Sequence, residues 1–277
     1  MIYKDIIDRI KNITHGESSR AYENAVTSIA TDLDDANLIQ QLNIDLKETE
    51  DKNKKLKIYA ILFNYHRRMD NIDTCQVLYN EYYEVFNNTF IFNHLFSIIL
   101  KSTKQVHKIK QSIKLSRDAI TYINEHTNPG ALHNLADGLI TLCEESDTID
   151  IKLRNDYITE ALELVEDALK LEPDYAKFYA TLARAYLLLD DLYAANKNIH
   201  LAIAKENSEK KDYILRINKY SLILSYIDTK KHIKGLLQQV KGQTDTLQEE
   251  IRKENLEILS FLMNIHFSYL TLMELFL

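Results

Sequence analysis

The sequence predicts an all-α protein, an α-solenoid of antiparallel helix pairs, and two observations carry that expectation. The first is a scarcity: 277 residues contain only 5 Gly and 2 Pro. Sheets and sandwiches need turn residues at their strand ends, and doubly wound folds need glycine at their βα corners. A chain this poor in both turns its corners between helices. The second is a period. From Ala176 the chain reads AKFYATLARAYLLLDDLYAANKNIHLAIAKENSE, in which Tyr179, Leu182, Ala183 and Tyr186 fall at i, i+3, i+4 and i+7 on one helical face. Asp190-Asp191 interrupts the pattern as a turn, and Ala195, Ile199 and Ala202 resume it on a second helix. The short side chains of Ala183, Ala195 and Ala202 let two antiparallel helices approach closely.

Each segment can be read in order. Residues 1–50 hold two or three helices with no repeat signature, Gly16 lying between the first two, and are expected to cap the array. Residues 51–241 form the array. Its first pair is marked by Tyr59, Phe63, Cys75, Tyr79 and Tyr82 around the turn Asp70-Asn71, and residues 89–124 make a second pair. Leu132, Leu135, Ala136 and Leu139 mark a further first helix whose partner starts late, so Glu144–Asp150 is expected to bulge between them. Ala161, Val165 and Ala168 mark that partner, and Pro173 closes it. The clearest repeat spans 176–209, residues 210–241 are expected to be one more degenerate pair, and residues 242–277 a long C-terminal helix.

These positions resemble the tetratricopeptide repeat. Its large residue falls on Tyr179, its Leu and small pair on Leu182 and Ala183, its aromatic on Tyr186, and its second-helix set on Ala195, Ile199 and Ala202. The second-helix set recurs 34 residues earlier at Ala161, Val165 and Ala168. Around Tyr59 to Tyr82, bulky residues stand where the family prefers small ones. The resemblance implies a right-handed superhelix with a concave groove, a non-enzymatic scaffold or adaptor, and a protein or peptide as partner. The groove is lined by first helices at positions that do not pack in the core, here Asn134, Asp137, Lys177, Thr181 and Arg184. Only fragments of the family's peptide-clamp pattern are present.

Composition narrows the remaining classes. A net charge of −7 makes general nucleic-acid binding an unfavoured partner class. Cys75 and Cys143 have no metal or redox spacing and suit a reducing compartment, and the N-terminus carries Asp5 and Asp8 with no apolar core, so a cytoplasmic location is expected. No phosphate loop, nucleophile elbow, HExxH or CxxC is present, so no enzyme activity, cofactor or metal is expected. Arg9 and His15 have the spacing of a pair seen in some helical ribonucleases, without the polar residue that should follow the arginine.

Two segments outside the repeat invite function. From Phe86 to Arg117 there is no acidic residue, while Lys101, Lys104, Lys108, Lys110, Lys114 and Arg117 cluster as a patch for an anionic partner, set against the plainer reading of a solvated helix face. From Ile258 to Met273 the chain has no full charge, and basic residues precede it. Its 16 residues reach about 24 Å as a helix, short of a hydrocarbon core of about 30 Å. Leu247, Ile251, Ile258, Phe261 and Ile265 instead recur at near-heptad spacing, as in a helix that caps the solenoid or makes a homodimer. The competing reading is a membrane-associated effector, peripheral or tail-anchored at the inner face. The Asn-, Ile- and Lys-rich wording resembles that of a low-GC bacterium or its mobile elements, where by analogy such proteins serve stress or phage-defence systems.

Overall fold

The computed structural model describes residues 3–33, 35–123, 128–207 and 213–240, together with Lys253. Among the described residues there are twelve α-helices and no strand. They are α1 (Tyr3–Lys11), α2 (Arg20–Thr31), α3 (Ala36–Glu48), α4 (Lys52–Arg68), α5 (Ile72–Phe86), α6 (Phe90–Ser102), α7 (Val106–Thr121), α8 (Pro129–Glu145), α9 (Ile151–Leu171), α10 (Ala176–Leu188), α11 (Leu192–Ala204) and α12 (Tyr213–Val240). Residues 1–213 and 214–277 form two compact units. In the first, α4–α5, α6–α7, α8–α9 and α10–α11 are successive helix pairs, and each second helix also packs on the next first helix. This is the helix-pair solenoid the sequence predicts, with α1–α3 preceding it.

Local chemistry builds the turns within the pairs. Asp70, Lys104 and Asp190 sit at φ 55°, 56° and 60°, the left-handed region in which Cβ crowds the backbone. Their amides donate 3.2 Å bonds to the carbonyls of Arg67, Lys101 and Leu187. At two of the corners the next amide reaches one residue further back, Asn71 N to His66 O and Asp191 N to Tyr186 O, both 2.9 Å. This pairing satisfies the orphan carbonyls at a helix end and usually places glycine at the left-handed position. Here Asp stands in at two of the three, its short side chain being among the few that tolerate that conformation. The following residue then opens the next helix: Asn71 accepts from Thr74 N at 3.2 Å and Asp191 from Ala194 N at 2.9 Å. Two residues thus end one helix and cap another.

Apolar burial forms two clusters. The larger joins α1 through α6 around Tyr59, Phe63, Phe86, Phe92 and Phe96. Tyr59 on α4 meets Tyr82 and Phe86 on α5 with ring centroids 5.8 and 5.7 Å apart, so aromatic contacts replace the small-residue contacts of the repeat in this pair. Tyr79 on α5 stacks on Phe92 and Phe96 of α6 at 4.6 and 3.6 Å. The second cluster joins α7 through α10 around Ile109, Leu139, Ile140, Val165 and Phe178. Ile120 packs against both. Ala183, Ala195 and Ala202 are fully buried, as the close approach of α10 and α11 requires.

Two segments differ from expectation. Glu144–Asp150 does not bulge as a long loop. The extra residues lengthen the helices instead, α8 to 17 and α9 to 21 residues, leaving only Ser146–Asp150 between them. Asp150 caps α9 through Lys152 N and Leu153 N, and Arg154 donates to Cys143 O at 2.8 Å, which ties the two lengthened ends together. Within 210–241 the described residues hold one 28-residue helix, α12, rather than a pair. Its sequence has no Pro and no adjacent Asp/Asn pair to close one helix and cap the next. The C-terminal helix expected over 242–277 lies outside the described residues apart from Lys253. Among the described residues, no helix is long and apolar enough to cross a membrane.

Replacing Asp70 with Gly removes the Cβ crowding at φ 55° and should raise stability by about 0.5–1 kcal/mol. Urea unfolding should show a higher midpoint at unchanged slope, whereas Asp70→Val should lower the midpoint. A glycine variant of lower stability would show that the carboxylate, not the backbone, sets this corner.

Candidate functional site

On α8, residues Asn134, Asp137, Thr141 and Glu144 recur at helical spacing and share one face. Lys177, Thr181 and Arg184 do the same on α10, and Ser97 and Lys101 on α6. Because α6 and α10 both pack on α8, these faces meet. All five residues expected in the groove therefore lie on neighbouring first helices. Asp137 and Arg184 pair with each other, while Asn134 and Thr181 bond to other residues of the same helices and their neighbours.

Asp137 is the centre. Lys101 Nζ lies 2.5 Å from its Oδ2 and also donates to Asn134 Oδ1 at 2.8 Å. Arg184 pairs with Asp137 from the other side, donates to Thr141 Oγ1 at 3.0 Å, and reaches Glu144 with its Nη2 2.5 Å from Oε2. Asn134, buried, donates to Ser97 Oγ at 2.6 Å and Ser116 Oγ at 3.1 Å, which brings in α7. Burial alone would raise the Asp137 pKa, but the charges of Lys101 and Arg184 overcome it and hold the carboxyl far below the usual range. Burial also draws the Lys101 ammonium below its ordinary value despite its partner. His133, beside them, bonds Thr181 Oγ1 at 2.9 Å through Nε2, and burial drives its pKa down to about 3, so at neutral pH it is an uncharged imidazole. Lys177 stands half-buried on the same face, without an ion-pair partner among the described residues.

A second polar cluster gathers near the N-terminal ends of the first helices. Arg20 lies 3.0 Å from Glu23 and 3.4 Å from Glu172, with its guanidinium 5.1 Å from the Tyr175 ring centre. Glu23 also faces His94 at 3.7 Å. Burial raises the Glu23 pKa, but His94 and Arg20 outweigh it and bring it to about 2.

The basic stretch divides. Lys101 belongs to the half-buried Asp137 network, not to an open patch. Lys104 pairs with Glu145 at 3.6 Å and Arg117 with Glu160 at 2.7 Å. Lys108, Lys110 and Lys114 on α7 have no ion-pair partner among the described residues, and Lys110 and Lys114 are exposed one turn apart. Arg9 pairs with Asp32 at 2.8 Å and donates to Ser28 Oγ at 3.2 Å, a structural contact, while His15 is exposed. Among the described residues, no group of three His, Cys, Asp or Glu could hold a metal ion.

Sequence reasoning missed Thr141, Glu144, Arg20 and Glu23, while His133, within a helical pattern, reads as a structural histidine. Thr141 and Glu144 continue the Asn134–Asp137 face by one and two turns, so their spacing could have revealed them. The rest are joined by contacts between segments that no local pattern connects.

No protein-family profile and no curated protein matches the sequence. Among solved structures, the chain is similar to one titled "MamA RS-1 ArsTM double mutant", with 12% identity, 71% of this chain and 99% of that chain covered, and a TM-score of 0.46.

Replacing Asp137 with Ala leaves Lys101 and Arg184 without their shared counter-charge, and should cost about 3–5 kcal/mol in chemical denaturation. The pair Asp137→Leu with Lys101→Met should recover much of that loss, and no recovery would show that packing, not charge, is decisive. Stability should also depend on pH through His133. Its imidazole takes a proton near pH 6.5 in the unfolded chain and near pH 3 in the folded one, so the unfolded state binds more protons between these values. The melting temperature should therefore fall as pH drops from 6.5 towards 3. His133→Gln should flatten the fall, and an unchanged slope would refute the assignment. The depressed carboxylates Asp137 and Glu23 add a further loss, confined to pH values below about 4.

Proposed function

We propose that this protein is a non-enzymatic helical-repeat scaffold that holds an acidic segment of a protein partner across α8 and α10. The observation that carries the reading is the state of the charges on that face. Lys101, Asp137, Arg184 and Glu144 neutralise one another and fix three helices in register, while Lys177 remains as a half-buried cation with no ion-pair partner among the described residues. A fixed polar row beside a spare cation suits recognition, because side chains already ordered lose little entropy on binding. Nothing in the row is arranged for reaction: its carboxylate is locked in an ion pair and its imidazole is held neutral and bonded to a hydroxyl.

Two unpaired, buried cysteines suit a reducing compartment, and the cytoplasm remains our expectation. The exposed pair Lys110 and Lys114, with Lys108, supports a second reading in which α7 meets an anionic partner such as an acidic protein surface or a nucleic-acid backbone. The membrane and homodimer readings rest on the tail and are tests for the full chain with and without residues 254–277.

Full-length protein and its Lys177→Glu and Lys110→Glu/Lys114→Glu variants, used as bait with quantitative comparison of what each retains, separate these readings. The groove reading expects the wild-type partner to be lost about tenfold or more by Lys177→Glu alone, the size of one disrupted charge contact. Loss confined to the α7 variant would favour the second reading, and equal retention by all three would refute both.

A further inference from the structure

In a solenoid each unit ordinarily touches only its neighbours. Arg20, at the start of α2, instead reaches Glu172 and Tyr175 in the corner between α9 and α10, past the α4–α5, α6–α7 and α8–α9 pairs. We propose that this contact is a latch, closing the array over its first-helix face and opening to admit the partner. The inference rests on the groove reading above and adds its regulation.

The segment that carries Arg20 is held from both sides. Phe90 N and Ile91 N donate to the two Glu17 oxygens at 3.1 and 3.2 Å, so a residue far away in sequence caps α6, whose own Thr89 side chain makes no capping bond. Across the array, Asn128, which caps α8 with its Oδ1, donates from Nδ2 to Ser18 O at 2.9 Å. Gly130 permits the close approach: a Cβ there would lie 2.8 Å from both Arg20 Nη1 and Glu23 Oε2.

The latch joins the two apolar clusters on one side, as the Asp137 seam between α6 and α8 joins them on another. The two junctions differ in kind. The seam consists of short, directed hydrogen bonds. At the latch, Arg20 Nε and Glu172 Oε2 are buried and 3.4 Å apart, yet neither makes a hydrogen bond. What holds it is charge attraction between Arg20 and Glu172, which salt screens, together with the Tyr175 side chain, which bonds the guanidinium and lies against it with its ring face. The seam stays closed when the latch releases, and the α9–α10 corner moves away from α2 about it. An acidic partner side chain that takes Arg20 from Glu172 couples its own entry to the opening.

Spin labels at Asn24→Cys and Glu166→Cys, both exposed positions, report the separation across the latch, with the native cysteines buried. One short distance is expected at low salt, and a second, longer one should emerge with Arg20→Ala, with Glu172→Gln, or at high salt. The charge swap Arg20→Glu with Glu172→Arg should restore the short distance. A single unchanged distance in folded Arg20→Ala protein overturns the latch. Should that variant fail to fold, the salt titration of the otherwise unmodified chain decides alone, an invariant distance again refuting the proposal. No partner is needed, so an invariant distance would leave the scaffold reading intact, and an open latch with no effect of Lys177→Glu would refute the scaffold reading instead.

Discussion

A single carboxylate sets the register of three first helices. Asp137 on α8 is shared between Lys101 on α6 and Arg184 on α10, so each of the neighbouring helices is fixed to the one between them by the same atom group. A partly buried charge is costly to desolvate, and a pair repays that cost only with good geometry and satisfied partners. Here Asn134, Thr141 and Glu144 supply the remaining partners from the same helix face. Apolar packing alone would allow the helices to slide by fractions of a turn, since methyl groups fit many neighbours. A directed network does not.

Around that constraint the molecule uses two kinds of adhesion. Within each half, burial of aromatic and branched side chains is non-directional and strong, and it tolerates the change from small residues in the α10–α11 pair to stacked rings around Tyr59 and Tyr79. Between the halves, Ile120 packs on both clusters and polar contacts add to it. The Asp137 seam is tightly bonded, while Arg20 Nε and Glu172 Oε2 face each other at 3.4 Å without a hydrogen bond between them. A body built this way keeps its repeats in register, and the proposed latch would leave one junction able to open.

The corners show how a glycine-poor chain manages sharp turns. Left-handed residues at Asp70, Lys104 and Asp190 take the place usually given to glycine, and the residue after two of them caps the next helix. Asp70 and Lys104 lie 34 residues apart, the repeat period itself. After Lys104 the phase is lost, because the extra residues between α8 and α9 became additional helical turns rather than a loop. Helix was available to them because the stretch contains no proline and Asp150 could cap the second helix wherever it began.

The sequence by itself determined the fold class, the helix pairs between Lys52 and Ala204, and the face of their helices that points inward. All of these follow from composition and from spacing within some ten residues, where a period of 3.6 leaves an unambiguous stripe. It also determined that Asn134, Asp137, Lys177, Thr181 and Arg184 occupy first helices. Only the tertiary structure decided which of them remain available. Lys101 reads in sequence as one of six lysines and arginines in a basic run, and in space it is the half-buried counter-charge of Asp137. Arg184 reads as a free groove cation and is consumed by Asp137 and Glu144, while Lys177, on the same face and indistinguishable from it by spacing, is left over. The N-terminal segment reads as a plain cap, yet Glu17 and Arg20 meet α6 and the α9–α10 corner. The reason is physical: a charge is neutralised by whatever lies within a few ångströms, and that neighbour is set by how helices stack, which spacing along the chain does not encode.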